Sequence, residues 1–361
     1  MSEFPELGCY GLAGHSDSPR DLLDEVARAE QLGLGSVFLS ERFNVKDAAV
    51  LAGAVAATSS GIGIGTAATN HNTRHPLVTA TMATTLHRLS GGRYALGLGR
   101  GFAPLMEVMG LPQVTSSQLR DVVGIYRTLW SGGAVAGHDG PAGRFGFLHQ
   151  DAGFDEQIPI LMMAIGDRSL DLAGEIADGV VLHTFFTDAT LTRAVRRVRA
   201  AAERAGRDPA SVRIWSVLAT VPDALPEELR LRKLVGRLAT YLQGYGEVLV
   251  RANGWDAAVL DRFRADPAVT GAGGALDAIG TPAQLADIAD RFLPADWLAA
   301  SASGTPADCA GRVADQFAAG ADSVILHGAT PDELAPVLDA WRQVRDPGAF
   351  ASLPVNPGRM R

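Results

Sequence analysis

Apolar residues along this chain alternate between short continuous runs and longer stretches in which they recur every three or four positions, the pattern of strands and helices taking turns. Runs at residues 7–12, 36–40, 62–68, 94–98, 158–163, 179–183, 212–221 and 323–327 read as strands. They alternate with helical stretches over short links, the signature of a parallel sheet. Between them the helical period holds at 47–59, 76–89, 117–130, 188–206, 305–320 and 331–344, and a further helix opens at Asp167. Ser18-Pro19 reads as a cap and first turn for a helix whose apolar face is Leu22, Leu23, Val26, Ala27 and Ala29, ending at Gly33. Strand, helix and short link repeat often enough to predict a (β/α)8 TIM barrel rather than a doubly wound sheet, which would more often open on a glycine-rich dinucleotide fingerprint. Two stretches break the rhythm. Residues 131–157 are rich in Gly, Asp and His without any period and read as a long loop, and residues 222–303 read as a helical insertion before the last strand. A single domain spanning residues 1–361 is expected.

The most informative stretch runs from 62 to 101. Two strands flank a crossover helix that opens on Pro76, where a missing N–H costs nothing, and closes at Gly91-Gly92. Polar groups gather just past the strands: Asn70, His71 and Arg74 after the third, Arg100 after the fourth. The same edge receives Gly14, His15 and Ser16 after the first strand, Glu41 and Arg42 after the second, and His183 and His327 farther on. In a barrel of parallel strands the C-terminal edge is where ligands bind.

Gly65-Thr66-Ala67-Ala68, then His75-Pro76, Leu89-Ser90-Gly91-Gly92-Arg93 and Gly97-Leu98-Gly99-Arg100-Gly101 form a long ordered pattern that resembles the luciferase-like monooxygenases, TIM-barrel oxidoreductases using reduced flavin or the deazaflavin coenzyme F420. The resemblance covers most of residues 7–345 and is weakest in the insertion. It implies a non-proline cis peptide at Ala67-Ala68, a cofactor ring packed against that bulge and Asn70, and a phosphate held by Arg100 together with Ala164, Ile165, Gly166, Asp167 and Ser169. The last group opens a helix, so its backbone N–H groups and a guanidinium make a coherent anion site. Asp167 belongs there only if its carboxylate points away as a helix cap.

The chain departs from the family at two places. Where relatives often carry an acid–base histidine after the second strand, this sequence has Glu41-Arg42. Glu41 then becomes the candidate proton carrier and Arg42 the candidate holder of an anionic substrate or ring oxygen, with an ordinary ion pair as the rival reading. His71 is the third catalytic candidate, because it shares a loop with the motif. Phe102 stands where the deazaflavin branch often has Glu, which argues against a sugar-phosphate dehydrogenase. The resemblance implies hydride transfer between F420 and a small organic substrate. An FMN-dependent monooxygenase is the alternative within the fold, and a noncatalytic cofactor-binding relative the alternative outside catalysis. Arg74 and Arg168 are candidates to meet the anionic tail of F420.

Composition narrows the remaining classes. With 47% hydrophobic and 20% charged residues and a net charge of −8, the chain is an ordinary globular protein without the cation excess of a nonspecific nucleic-acid binder. No apolar run reaches membrane-spanning length and the N-terminus has no signal-peptide core, so a cytoplasmic protein with a small-molecule substrate is expected, as is a homodimer. Cys9 and Cys309 match no metal spacing and read as small buried hydrophobes. A hydrolytic metal barrel needs paired histidines after its first strand, where only His15 stands, so no metal is expected. The only lysines are Lys46 and Lys233, neither at a strand end, which removes Schiff-base chemistry.

Overall fold

Every one of the eight apolar runs forms a strand, and each pairs in parallel with its neighbours until the sheet closes on itself. The computed structural model describes residues 2–13, 18–43 and 45–361. In chain order the strands are β1 (Phe4–Tyr10), β2 (Leu34–Leu39), β3 (Gly63–Thr66), β4 (Tyr94–Leu98), β5 (Val135–Gly140), β6 (Gly143–Leu148), β7 (Ile160–Met163), β8 (Gly179–Val181), β9 (Arg213–Pro222), β10 (Ala302–Gly304) and β11 (Ser323–His327). The barrel runs β1-β2-β3-β4-β7-β8-β9-β11, and pairing of β11 with β1 closes it. Gly14, His15 and Ser16 lie outside the described residues.

Side chains fill the barrel, so it is a core and not a channel. Phe38, Leu161, Val181, Trp215, Val217 and Ile325 meet inside it, with Phe38 and Trp215 edge to face at 4.9 Å. The Phe38 ring fits because Gly8 lies opposite, where a Cβ would stand 2.9 Å from it. A second apolar layer joins the outer faces of the strands to the helices. Arg213 closes the N-terminal end of the barrel. Its guanidinium is fully buried and donates to Ser323 Oγ and to the carbonyls of Pro5, Pro354, Asn356 and Arg359, while Trp215 Nε1 donates to Pro357 O. The chain's last residues are thereby held as a plug under the strands. A cleft of about 640 Å³ opens beside this plug, among Arg127, Asp178 and Arg359, at the end opposite the strand-end residues singled out in the sequence.

The structure corrects three expectations. Residues 135–148, expected as part of a loop, form an antiparallel hairpin laid against the helix Ser116–Trp130. Its outward residues are mixed polar and apolar, and Gly137 and Gly143 interrupt the alternation, so no strand period shows in the sequence. The stretch 222–303 is helical as expected but ends in β10, which pairs with β9. The first helix begins at Asp21 with Arg20 at its N-cap, and Ser18 heads the preceding turn by accepting from the Arg20 N–H. Cys9 and Cys309 are buried free thiols, and burial raises each to about 12.

Candidate active site

The C-terminal ends of β2 and β3 are joined by an ion cluster. Glu41 lies just past the end of β2 with its side chain only 3% exposed. Its carboxylate accepts from Arg74 Nη1 at 3.0 Å, from Arg74 Nη2 at 2.5 Å and from Thr69 Oγ1, and Arg74 Nη2 also reaches Asp47 at 2.5 Å. These bonds raise the Arg74 guanidinium above its ordinary value. Glu41 therefore has a partner, but it is Arg74 and not Arg42. Arg42 is exposed on the rim and bridges to Lys46 through the backbone.

Next around the mouth, the Ala67–Ala68 peptide is cis, as the resemblance implied. Ala68 O accepts from Glu41 N at 3.1 Å, which ties the bulge to the ion cluster. The glycines of the 97–101 motif stand where backbone and side chains approach closely. A Cβ at Gly97 would stand 1.7 Å from Thr66 O, one at Gly99 would stand 2.9 Å from the Ala68 Cβ, and Gly101 has φ +73. The motif is thus a packing device that lets two strand ends approach. Asn70 donates to Gly99 O at 2.8 Å and fixes the two loops together. His71 is buried, its Nε2 has no partner among the described residues, and burial lowers its proton affinity, so the ring is neutral at pH 7.

At the ends of β4 and β7 the charges are cationic. Arg100 donates to Ser116 Oγ at 2.5 Å, its buried Nε has no partner, and its proton affinity is lowered by burial and then by nearby Arg168. Two guanidinium groups within repulsive range of one another, without a bridging carboxylate among the described residues, make a site that an anion stabilises. The helix Asp167–Ile176 opens here with Gly166 at its N-cap and no side-chain cap. Ser169 turns its hydroxyl back to Gly166 O. Asp167 does point away, but as the partner of Arg197 at 3.0 Å and not as a cap. Ala164 is buried and donates to Val181 O, and Ile165 is half-buried.

The remaining wall comes from the insertion, in which the sequence reading singled out no site residue. The helix Arg237–Asn253 places Arg237, Tyr241 and Tyr245 four residues apart, hence on one face, and Tyr245 sits at a kink with φ −142 and ψ 35. That face meets His183, just past β8, and His327, the last residue of β11. His183 donates from Nδ1 to Thr184 O at 2.8 Å and accepts from Tyr245 O–H at 2.9 Å. Burial pushes His183 down to about 4, so it is neutral. His327 donates from Nδ1 to Thr184 Oγ1 at 3.0 Å and accepts from Arg237 Nη1 at 3.2 Å, and its proton affinity is lowered by burial and then by Arg237. Tyr10 packs on His327 at 4.8 Å, Tyr241 on His183 at 4.8 Å, and Phe102 lies 6.4 Å from Tyr245. The spacing Arg237, Tyr241, Tyr245 was legible as a helix face. What the sequence did not show is that this face covers the mouth. No group of three or more His, Cys, Asp or Glu among the described residues is placed to hold a metal.

With this geometry in view, the chain can be set beside known proteins. The profile of the luciferase-like monooxygenases matches residues 4–323. The chain belongs to the luciferase-like monooxygenase family. One relative in it is the 5,10-methylenetetrahydromethanopterin reductase of Methanolobus tindarius, 28% identical over 302 residues that span 82% of this chain and 86% of that protein. Another is the F420-dependent glucose-6-phosphate dehydrogenase of Beutenbergia cavernae, 30% identical over 189 residues, 48% of this chain and 55% of that one. Among solved structures, the coenzyme F420 dependent tetrahydromethanopterin reductase from Methanopyrus kandleri superposes with a TM-score of 0.76 at 24% identity, covering 93% of this chain and 97% of that one. A long-chain alkane monooxygenase superposes at 0.63 and 14% identity, covering 94% and 91%, so the fold alone spans both deazaflavin and monooxygenase members.

Proposed function

We propose that this chain is an F420-dependent oxidoreductase that moves a hydride between the deazaflavin and a small organic substrate. The observation that carries this reading is the pairing of Arg100 and Arg168 at the open start of the helix Asp167–Ile176, in a chain whose relatives include F420-dependent reductases and dehydrogenases. The residues present fit the group. Arg100 Nε and His71 Nε2 are buried polar atoms without partners among the described residues, and a bound anion and a bound heteroaromatic ring would supply them. When bound, the deazaflavin supplies a two-electron hydride carrier. Arg100 and the first-turn N–H groups would hold its phosphate, and Ala67, Ala68 and Asn70 would contact its ring. His71, neutral and unpaired, is the residue we assign to hydrogen bonding or proton transfer at the ring edge.

Glu41 takes a different role from the one its strand-end position suggested. Both its oxygens are committed to Arg74 and Thr69, so we assign it to holding the bulge in place rather than to carrying a proton. Arg74 is equally engaged, which leaves Arg168 as the exposed cation available to the cofactor's anionic tail. An FMN-dependent monooxygenase remains the second reading, supported by monooxygenase neighbours of the same fold.

The assembly proposed is a homodimer. The helix Ala48–Thr58 is apolar on every side, yet its outer face and that of Pro76–Leu89 leave Val50 71%, Val78 55% and Leu89 52% exposed around Gly53, Leu77 and Met82. A helix that is hydrophobic all round belongs in an interior, and a two-fold copy of the same face provides one. No helix among the described residues is long and apolar enough to cross a membrane, and a cytoplasmic enzyme of one domain without a nucleic-acid partner is the accompanying proposal. The test is turnover. Reduced F420 should be reoxidised only when a substrate from a panel of carbonyl and imine compounds is added, and tight F420 binding without reoxidation across the panel would mark a noncatalytic relative instead.

A further inference from the structure

A guanidinium that is nine-tenths buried ordinarily has a carboxylate in hydrogen-bond contact or a full set of oxygen acceptors, because a desolvated cation without them is costly. Arg213 shows the second solution, with five oxygens at 2.7 to 3.2 Å. Arg237 shows neither. It is 6% exposed, yet its hydrogen bonds among the described residues go to neutral His327 Nε2 at 3.2 Å and Ala13 O at 3.3 Å. The carboxylate of Asp277 stands 3.9 Å away, and Nε is buried without a partner among the described residues. Gly328, with φ +101, lies against this atom, and a Cβ there would stand in ordinary contact with Nε at 3.6 Å.

The position of this group matters as much as its deficit. Arg237 lies over the ends of β11 and β1, and β11 is directly across the barrel from β4, which carries Arg100. Arg42 and Lys46 stand close enough to add to the positive field at His327, with Glu25 as the opposing charge on Lys46. Lys233, one turn before Arg237, is already satisfied by Glu333 and Gly328 O. Tyr241 and Tyr245 follow Arg237 on the same helix face and stack on one another at 5.4 Å, so Arg237 lies beside aromatic surface rather than on the exposed rim.

We propose that Arg237 is the recognition residue for a carboxylate on the substrate, seated across the mouth from the cofactor's phosphate. The planar fork of Nε and Nη offers two parallel donors, the geometry a carboxylate takes up in bidentate fashion. A dianion would meet Asp277 as well, so a singly charged carboxylate is the better fit. The assignment to substrate rests on the oxidoreductase reading, whereas the anion site itself does not.

The test uses the intact protein with acetate as the probe and the arginine Nε–H signals of a 15N-labelled sample as the readout. The Arg237 signal should move saturably with acetate and stay put with matched chloride. Arg237→Lys and Arg237→Met should weaken acetate binding by about 10- to 100-fold, and Arg100→Ala should leave it unchanged. No saturable shift in the wild-type protein overturns the proposal without recourse to any variant, and so does binding lost in Arg100→Ala but kept in Arg237→Met. Acetate that still binds the F420-loaded protein assigns the site to substrate. Acetate expelled by F420 overturns that assignment in favour of the cofactor's own carboxylate tail. Failure of F420 to bind at all, with acetate still on Arg237, counts against the cofactor reading and leaves the carboxylate site standing.

Discussion

The ion cluster of Glu41 and Arg74 gives a sharp energetic prediction, because one partner is buried, the other half-buried, and each has a different remaining set of contacts. Glu41→Gln removes the charge but keeps the shape, and Arg74, 17% exposed, retains Asp47 and Thr69. Hydrogen bonds to charged groups contribute roughly 1.5–3 kcal/mol each, so with Asp47 compensating, a loss of about 2 kcal/mol is expected. Arg74→Met is the harsher change, since it strands a carboxylate only 3% exposed with Thr69 as its one remaining side-chain partner among the described residues. Breaking a buried pair from that side costs about 3–5 kcal/mol. Combining the two changes removes both charges, and the double variant should be more stable than additivity predicts by at least about 1.5 kcal/mol. Urea denaturation of the four proteins, followed by fluorescence and far-UV circular dichroism together, measures the cycle. Additivity to within about 0.5 kcal/mol would show that the two side chains do not act as a unit, and the assignment of Glu41 to holding the bulge would go with it.

Arg100→Ala should raise the dissociation constant for F420 by about 10- to 150-fold, equivalent to roughly 1.5–3 kcal/mol, and unchanged affinity would move the phosphate elsewhere. His183 is held near 4, below the ordinary value of 6.5, so the folded state refuses a proton that the unfolded chain accepts. The corresponding stability is complete above about pH 6.5 and is lost as pH falls toward 4, at on the order of 1 kcal/mol per pH unit; His183→Gln should flatten that slope in pH-dependent denaturation, and an unaltered slope would show that His183 is not buried neutral. Arg213→Ala removes the donor that five oxygens share, and a loss of about 3–5 kcal/mol, read by thermal melting, is expected. Val78→Glu places a charge on the proposed dimer face, so sedimentation should show dimers for the unaltered protein and monomers for the variant, and a monomeric unaltered protein would refute the assembly.

Barrel and site were legible to different depths, for physical reasons. The barrel strands were readable because burial on both faces forces continuous apolar runs, and the helices because Pro76, Pro306 and Pro331 mark their first turns. The β5–β6 hairpin escaped because it is an exposed outwork whose glycines break any alternation. Glu41 was placed correctly at a strand end, but its partner was not, since the loop that returns Arg74 to it folds back across tertiary space. Asp167 was recognised as awkward beside a phosphate, and Arg197, thirty residues on, is what removes the conflict. Arg237, Tyr241 and Tyr245 were hidden differently. Their spacing marks a helix face, but the direction of that face is set by how the insertion packs on the mouth, which no local pattern encodes.

The claim on which the rest depends is that this mouth binds a deazaflavin. Fluorescence titration of the apoprotein with F420 and, separately, with FMN tests it most directly, with Arg100→Ala as the control for location. The account predicts saturable F420 binding at micromolar concentration or tighter, weakened in Arg100→Ala, and FMN binding that is weaker or absent. Micromolar FMN binding with no detectable F420 binding would contradict it.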